Sequence, residues 1–352
     1  MDLKTFQTTL STHTQSTLAN HLEQYQTLGV PAPLLLYLKH LAVLASGGKN
    51  IRPYLTWSIL KHYAPEENFK EHEQLLVAIE LFHLFCLIHD DVMDESLLRH
   101  GVNTMHAEAA LALYPTIPSP ARDMLAKNQA ILAGDMLLNV VFKIFYEYAG
   151  NGDSPLDSKL RHCFHTLVDE VCLGQMIDID LTTKREPKTE TIFLKNILKT
   201  ARYSFVHPLS LGALVAGNGD KLQFLAVFGE KLGLLYQIQD DIFDVMGDFE
   251  QLKKPLFQDV AQMQPTILTQ HIHTRGGEHQ RQLISLLGNT VAAEDYALVQ
   301  KLFVDSGAVA HAEALSLVLE KELSELSTTF TLNEKDQEFF QNICSLIINR
   351  TA

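Results

Sequence analysis

Apolar positions along the chain recur mostly at helical spacing, in long segments rich in Leu, Ala, Lys, Glu and Gln. Between these segments stand clusters that break helices: Gly47-Gly48, Pro115 to Pro120, Gly150 to Pro155, Arg185 to Pro187, Gly217 to Gly219 and Arg275 to Gly277. Each intervening segment is long enough for several helical turns and strand signals are few, so the pattern predicts an all-α fold. Two runs are denser in apolar residues than the rest, Leu81 to Ile88 and Leu232 to Ile238, and have the composition of buried helix. Beyond about residue 275 the chain reads as amphipathic helix without chemistry. His271, His273 and His279 read there as solvated loop residues.

No shift in composition divides the 352 residues, so a single domain over 1–352 is expected. Charge interrupts the apolar stretches before about 18 residues, and the polar first 30 residues have no basic start followed by an apolar block. Neither a membrane span nor a signal peptide is therefore expected. Hydrophobic content of 46% with only 18 Gly and 12 Pro agrees with a helical core. The net charge of −14 argues against a nucleic-acid partner and would also repel an anionic substrate at long range. An anionic ligand would need cations and metal concentrated locally. Cys86, Cys163, Cys172 and Cys344 form no Cys-x-x-Cys pair, so they read as buried thiols of a reducing compartment, with the cytoplasm as the expected location.

The candidate chemistry lies in two clusters of one pattern, Asp90-Asp91-Val92-Met93-Asp94 and Asp240-Asp241-Ile242-Phe243-Asp244, each ending one of the dense apolar runs. An unpaired ionised carboxylate beside such a core is costly, so something cationic must meet these groups. On a helix, residues four apart are offset by about 40° around the axis and about 6 Å along it, so Asp90 shares a face with Asp94 and Asp240 with Asp244. One such cluster alone reads equally well as a solvated acidic face. Two with the same spacing favour an oxygen-only set of ligands, which suits magnesium completed by substrate phosphates.

Several cations match these acids. Gly47-Gly48-Lys49-Asn50-Ile51-Arg52-Pro53 places Lys49 and Arg52 behind a glycine pair where backbone can approach a ligand closely. Arg99 follows the first cluster and offers a planar fork for phosphate oxygens, although a surface ion pair explains it as well. Lys199-Thr200 lies in a mostly apolar segment, where a lysine needs an anion. His83 lies within about 20° of Asp90 on the helical wheel and is compatible with a ligand or with a core histidine. Acids and cations so arranged are what ionising an allylic diphosphate requires, with apolar walls excluding water from the carbocation.

At these residues the sequence resembles the trans-isoprenyl diphosphate synthases, the head-to-tail polyprenyl synthetase family, over about residues 40–270, with C-terminal helices in 271–352. The resemblance rests on Gly48-Lys49-x-x-Arg52-Pro53, Leu87-Ile88-His89-Asp90-Asp91-x-Met93-Asp94 with Arg99 and Gly101, and Gly134-Asp135 with Leu137-Leu138. It continues through Gly174-Gln175-x-x-Asp178, Lys199-Thr200-Ala201 and Gln237-x-x-Asp240-Asp241-x-x-Asp244, all in the family's order. It implies an antiparallel helical bundle around a deep central cavity, a homodimer, and three magnesium ions held between the aspartate motifs. Asp90 and Asp94 would bind two ions and Asp240 the third, with Asp91, Asp241 and Asp244 ordering the outer shell. By the same resemblance Arg99, Lys199 and Lys254 would hold the allylic diphosphate (dimethylallyl, geranyl or farnesyl), and Lys49, Arg52 and His83 the isopentenyl diphosphate. Thr200 and Gln237 would line the reacting centre, and Asp178 would pair with Lys199.

The chain departs from the family pattern at Asn50 and His100, where arginines are common, at Phe257, where glycine is usual, and at Gln264, where a second lysine is usual. The first two changes remove fixed positive charge near the expected isopentenyl site, and His100 is cationic only in part near neutral pH. These departures keep open a non-catalytic partner subunit of a synthase. A class I terpene cyclase is disfavoured because its second metal motif normally mixes Asn, Ser or Thr with Glu. A histidine-aspartate phosphohydrolase would leave the second aspartate cluster unexplained. By the resemblance, product length is set at Phe85 and Cys86, and one aromatic without an insertion in the first motif looks most like a twenty-carbon product, with fifteen carbons next. An ideal helix puts Phe85 about 140° and Cys86 about 40° from Asp90, so the wheel alone nominates Cys86.

Overall fold

The computed structural model describes residues 1–99, 101–184, 187–247 and 256–348. The fold is all-α, as the spacing predicts. Residues 1–161 with 214–216 form one compact unit, and 162–213 with 217–352 form a second.

The first unit contains α1 (Leu3–Thr27), α2 (Ala32–Leu38), α3 (His40–Ala45), α4 (Ile51–Tyr63) and α5 (Phe69–Met93). A short hairpin pairs β1 (Leu98–Arg99) with β2 (Val102–Asn103), and α6 (Met105–Ala112) and α7 (Ala121–Ala149) follow. The unit boundary falls within α8 (Pro155–Thr182). The second unit continues with α9 (Thr189–Asn196), a π-helix over Ile197–Val206, α10 (His207–Val215), whose last two residues belong to the first unit, and α11 (Leu222–Met246). It ends with α12 (Gln258–Ala261), α13 (Ile267–Arg275), α14 (Gly277–Leu286), α15 (Tyr296–Asp305), α16 (Ala308–Thr329) and α17 (Glu334–Ile348).

Helix α5 begins where the Asn68 side chain accepts from the Glu71 amide at 3.2 Å. From Leu75 to Phe82 positions all around it are buried, because α1, α4 and α7 pack on it. A helix enclosed this way needs no polar face, which is why the 81–88 run is almost continuously apolar. Helix α11, also 25 residues long, packs on the π-helix and α16. Each of these two long helices carries one aspartate motif in its last turns. That is the negative end of the helix dipole, where carboxylates are least welcome without cations.

Two expectations change. The four cysteines are not buried thiols throughout, since Cys172 is exposed and Cys86, Cys163 and Cys344 are only half-buried. Helix α7, although charge interrupts its apolar residues, holds an 18-residue window apolar enough to cross a membrane by length and composition, 44% of it buried inside the protein. Its packing on α5 and α6 explains that composition as that of a core helix. His271 and His273 lie within α13 and His279 within α14 rather than in loops, and the His271 ring stacks on His311 with centroids 4.5 Å apart.

Phe257, which stands where the family usually has glycine, keeps the glycine conformation: its φ is +59°. The ring is fully buried, edge-on to Tyr296 and stacked on Phe303 with centroids at 5.5 and 6.2 Å. Left-handed backbone costs a phenylalanine roughly 1–2 kcal/mol, whereas truncating a buried ring costs roughly 3–5 kcal/mol, so burial wins. Phe257→Gly is therefore expected to lower stability by roughly 2 kcal/mol in spite of relieving the backbone, measured as a lower denaturant midpoint at unchanged slope. A midpoint that rises would show that the strain outweighs the ring.

Candidate functional site

In the first unit Asp90 and Asp94 occupy the last turn of α5, both half-buried, with the Asp94 amide donating to the Asp90 carbonyl at 2.8 Å. Asp91 turns inward and is 2% exposed. Arg99 Nε lies 3.0 Å from each Asp91 oxygen and Nη2 lies 2.7 Å from Oδ1. Burial alone would weaken the Arg99 guanidinium as a cation. The hydrogen bonds and charge of Asp91, helped by Asp90 and Asp94, outweigh that and hold it more firmly protonated.

His89 reaches α7, its Nε2 3.2 Å from the Ile131 carbonyl oxygen and 3.5 Å from Asp135 Oδ1. Gly134 makes the approach possible, since a Cβ there would lie 2.3 Å from that Nε2. Phe85 is buried, with its ring 4.6 Å from His89 and 5.6 Å from Phe82 between centroids, and Cys86 is half-buried.

A cavity of about 140 Å³ lies against the start of this helix turn, lined among others by Gly47, Gly48, Glu80, His83, Leu87 and Arg99. Arg99, which the resemblance assigns to the allylic diphosphate, thus shares a cavity with His83, assigned to isopentenyl diphosphate, and with the glycine pair that precedes Lys49. The loop is tied down by Gln7, whose Nε2 donates to the Lys49 carbonyl at 2.7 Å. Asn50 adopts left-handed backbone at φ +49°, is buried, and hydrogen-bonds Glu80. Burial pushes the Glu80 carboxyl up to about 7, against the opposing effects of Arg52 and Asn50.

In the second unit Lys199 and Thr200 lie on the π-helix, a register common at functional sites. Its backbone is pressed between α8 and α11 by glycines: a Cβ at Gly174 would meet Lys199 N at 2.5 Å, and one at Gly233 would meet Ala201 Cα at 2.3 Å. Lys199 Nζ lies 2.5 Å from Asp178 Oδ2, the pair the resemblance implies, and Lys195 Nζ lies 3.4 Å from Oδ1. Burial works against the Asp178 charge, but the two lysines prevail and hold the carboxyl below its ordinary value. Thr200 Oγ1 donates to Gln237 Oε1 at 2.7 Å, and Gln237 Nε2 donates to Asp241 Oδ1 at 2.8 Å.

The three aspartates of this motif have different environments. Asp240 is exposed, whereas Asp241 and Asp244 are buried. Asp244 accepts from the Gln258 and Asp259 amides at 3.0 and 3.2 Å, closing α12 onto α11. Burial raises Asp241 to about 7, with Lys195 and Gln237 opposing and Asp240 and Asp244 reinforcing the shift. Burial and the charges of Asp244 and Asp241 also raise Asp259 well above the usual carboxylate range. Acids packed this closely at a helix C-terminus fit a nearby cation, and an all-oxygen donor set fits magnesium.

His100 and Lys254 lie outside the described residues. Sequence reasoning missed Glu80, Lys195 and Asp259. The signal for Glu80 was a lone acid in an apolar run, and for Lys195 its place one turn before Lys199 on the same face.

The polyprenyl synthetase family model matches residues 36–303. The chain belongs to this family. It is 31% identical over 295 residues to the short chain isoprenyl diphosphate synthase of Methanothermobacter thermautotrophicus, covering 82% of this chain and 81% of that protein. It is 27% identical over 365 residues to the geranylfarnesyl diphosphate synthase of Natronomonas pharaonis, covering 97% and 99%. Among solved structures, it is similar to the geranylgeranyl pyrophosphate synthase of Corynebacterium glutamicum complexed with isoprenyl diphosphate and magnesium. The TM-score is 0.88 at 23% identity, over 100% of both chains. The protein is accordingly a trans-prenyltransferase, a prenyl diphosphate synthase of the polyprenyl synthetase family.

In this prenyltransferase the buried Asp178 carboxylate is paired with two lysines, Lys199 and Lys195. Asp178→Asn should cost about 3 kcal/mol of stability near neutral pH, because two lysines lose their counter-charge. The folded Asp178 carboxyl titrates below its ordinary 3.8, so this stability is present above that pH and is lost as pH falls through the folded value. Unfolding curves of variant and wild type should converge in acid below about 3.8, and a gap independent of pH would assign the loss to packing.

Proposed function

We propose that this prenyltransferase condenses isopentenyl diphosphate head-to-tail with an allylic diphosphate in a magnesium-dependent reaction, to give a trans prenyl diphosphate of twenty carbons. The observation that carries the reading is the division of labour within the two aspartate motifs. Asp91, Asp241 and Asp244 are buried on protein partners, while Asp90, Asp94 and Asp240 keep more access to solvent. In this reading Asp90 and Asp94 hold two magnesium ions and Asp240 a third. When bound, the metal stabilises negative charge on the leaving diphosphate.

The chain's own residues do the rest. Arg99, with Lys199 and Lys254, binds the allylic diphosphate, and Asp178 orients Lys199. Lys49, Arg52 and His83 bind isopentenyl diphosphate, and the Thr200 to Gln237 hydrogen bond fixes the polar wall beside the reacting carbons. The allylic C–O bond breaks, the isopentenyl double bond attacks the resulting cation, and the departing pyrophosphate takes the proton, so no side chain serves as base. We also propose a cytoplasmic homodimer, checked by light scattering and fractionation.

Turnover should require a divalent cation, and Asp90→Asn or Asp240→Asn should lower it by about a thousandfold, or about 4 kcal/mol of transition-state stabilisation, with helical circular dichroism retained. An unchanged rate in either variant would remove that carboxylate from the metal set.

Product length is read by chromatography after incubation with isopentenyl diphosphate and each allylic primer. The relatives named above span geranylgeranyl and geranylfarnesyl products, so twenty against twenty-five carbons is the distinction that matters. Phe85→Ala should lengthen the product by at least one isoprene unit, and Cys86→Phe should shorten it towards fifteen carbons. If neither substitution shifts the distribution, the floor of the prenyl pocket lies on another helix.

A further inference from the structure

Glu80 is the one acid among the described residues lining a cavity whose other titratable groups are His83 and Arg99. It is 6% exposed, and its Oε2 has no hydrogen-bond partner among the described residues. The side chain of Asn50 hydrogen-bonds it, and Arg52, two residues further along the same turn, acts on it as a cation. The groups acting on it are thus Arg52 and Asn50 at the start of α4, while His83, one turn along α5, and Arg99 from the hairpin line the same cavity. Helix α1 reaches this turn through Gln7, which is uncharged.

A carboxylate in the wall of an anion pocket is paradoxical only if it stays ionised. Burial makes its charged form expensive, and Arg52 and Asn50 only partly offset that, so the carboxyl is pushed up to about 7. A diphosphate entering beside it adds like charge and draws Arg52 towards itself. Both effects favour protonation of Glu80 from solvent.

We propose that Glu80 is a positioning residue of the isopentenyl diphosphate site: through Asn50 and Arg52 it fixes the Lys49 to Arg52 turn in the free protein, and it takes up a proton as the diphosphate binds, releasing Arg52 to the anion. This rests on the assignment of the cavity to isopentenyl diphosphate. It also gives Asn50, where arginine is common, a role of its own: a neutral donor in left-handed backbone that lets the buried acid be ionised without locking it so.

The test is the KM for isopentenyl diphosphate from about pH 6.5 to 8.5 at saturating allylic diphosphate and magnesium, together with calorimetric titration in two buffers of different ionisation enthalpy. For the wild type, KM should rise by up to about tenfold once pH exceeds about 7, and binding should take up protons. Glu80→Gln should flatten that rise relative to wild type and reduce the uptake, while the KM for the allylic substrate keeps its own pH profile. Asn50→Gly tolerates the left-handed backbone and removes the bond that favours the ionised acid, so the inflection should move to higher pH.

An identical pH profile and proton uptake in Glu80→Gln would overturn the proposal and assign the titration to His83 or to the phosphate. Should that variant fail to fold, an unmoved inflection in Asn50→Gly would overturn it equally. Absence of isopentenyl diphosphate binding to the wild type would instead remove the functional reading itself, and this inference with it.

Discussion

The interaction on which the rest depends is the matching of buried carboxylates in an apolar helical core. Removing a charge from water costs several kcal/mol, so each enclosed acid must find a partner or stay protonated. The protein uses a different solution at each one. Asp91 takes the guanidinium of Arg99, Asp178 takes two lysines, Asp241 takes an amide, and Asp244 takes two backbone N–H groups. Asp90, Asp94 and Asp240 sit beside these satisfied neighbours, so their direction is set by groups that are themselves fixed.

That precision needs close helix packing around Lys199 and Thr200. A π-helix widens the turn on which they lie, and widening is possible only where neighbouring helices yield space. Gly174 gives it on α8, and Gly229 and Gly233 give it on α11, where added Cβ atoms would come within 3 Å of backbone or side-chain atoms of the π-helix. The same device recurs in the first unit, where Gly134 admits the ring of His89. The small residues within the motifs are therefore spacers that let polar side chains of neighbouring helices meet.

The departures from the family pattern are absorbed locally. Phe257 keeps left-handed backbone and offsets the strain by burying its ring, so the amides of residues 257–259 still turn towards Asp244. Asn50, which belongs to the residue types that tolerate left-handed backbone, faces a buried acid instead of solvent. Neither change disturbs an aspartate motif.

The sequence alone determined the helical class, the positions of most helix breaks and both aspartate motifs, because periodicity, glycine and proline punctuation and residue spacing are local properties of the chain. It could also place Asp90 with Asp94 on one face, since that follows from helix geometry. It could not tell that Asp91, adjacent to Asp90, turns inward to Arg99, that Lys195 joins Lys199 on Asp178, or that Asp259 crowds Asp241 and Asp244. Nor did periodicity show that residues 197–206 leave α-helical register, or that a lone glutamate in the apolar run of α5 meets Asn50. Those outcomes depend on desolvation and hydrogen bonds between segments distant in sequence, and only the packing of one helix on another decides which polar group is buried and what it meets there.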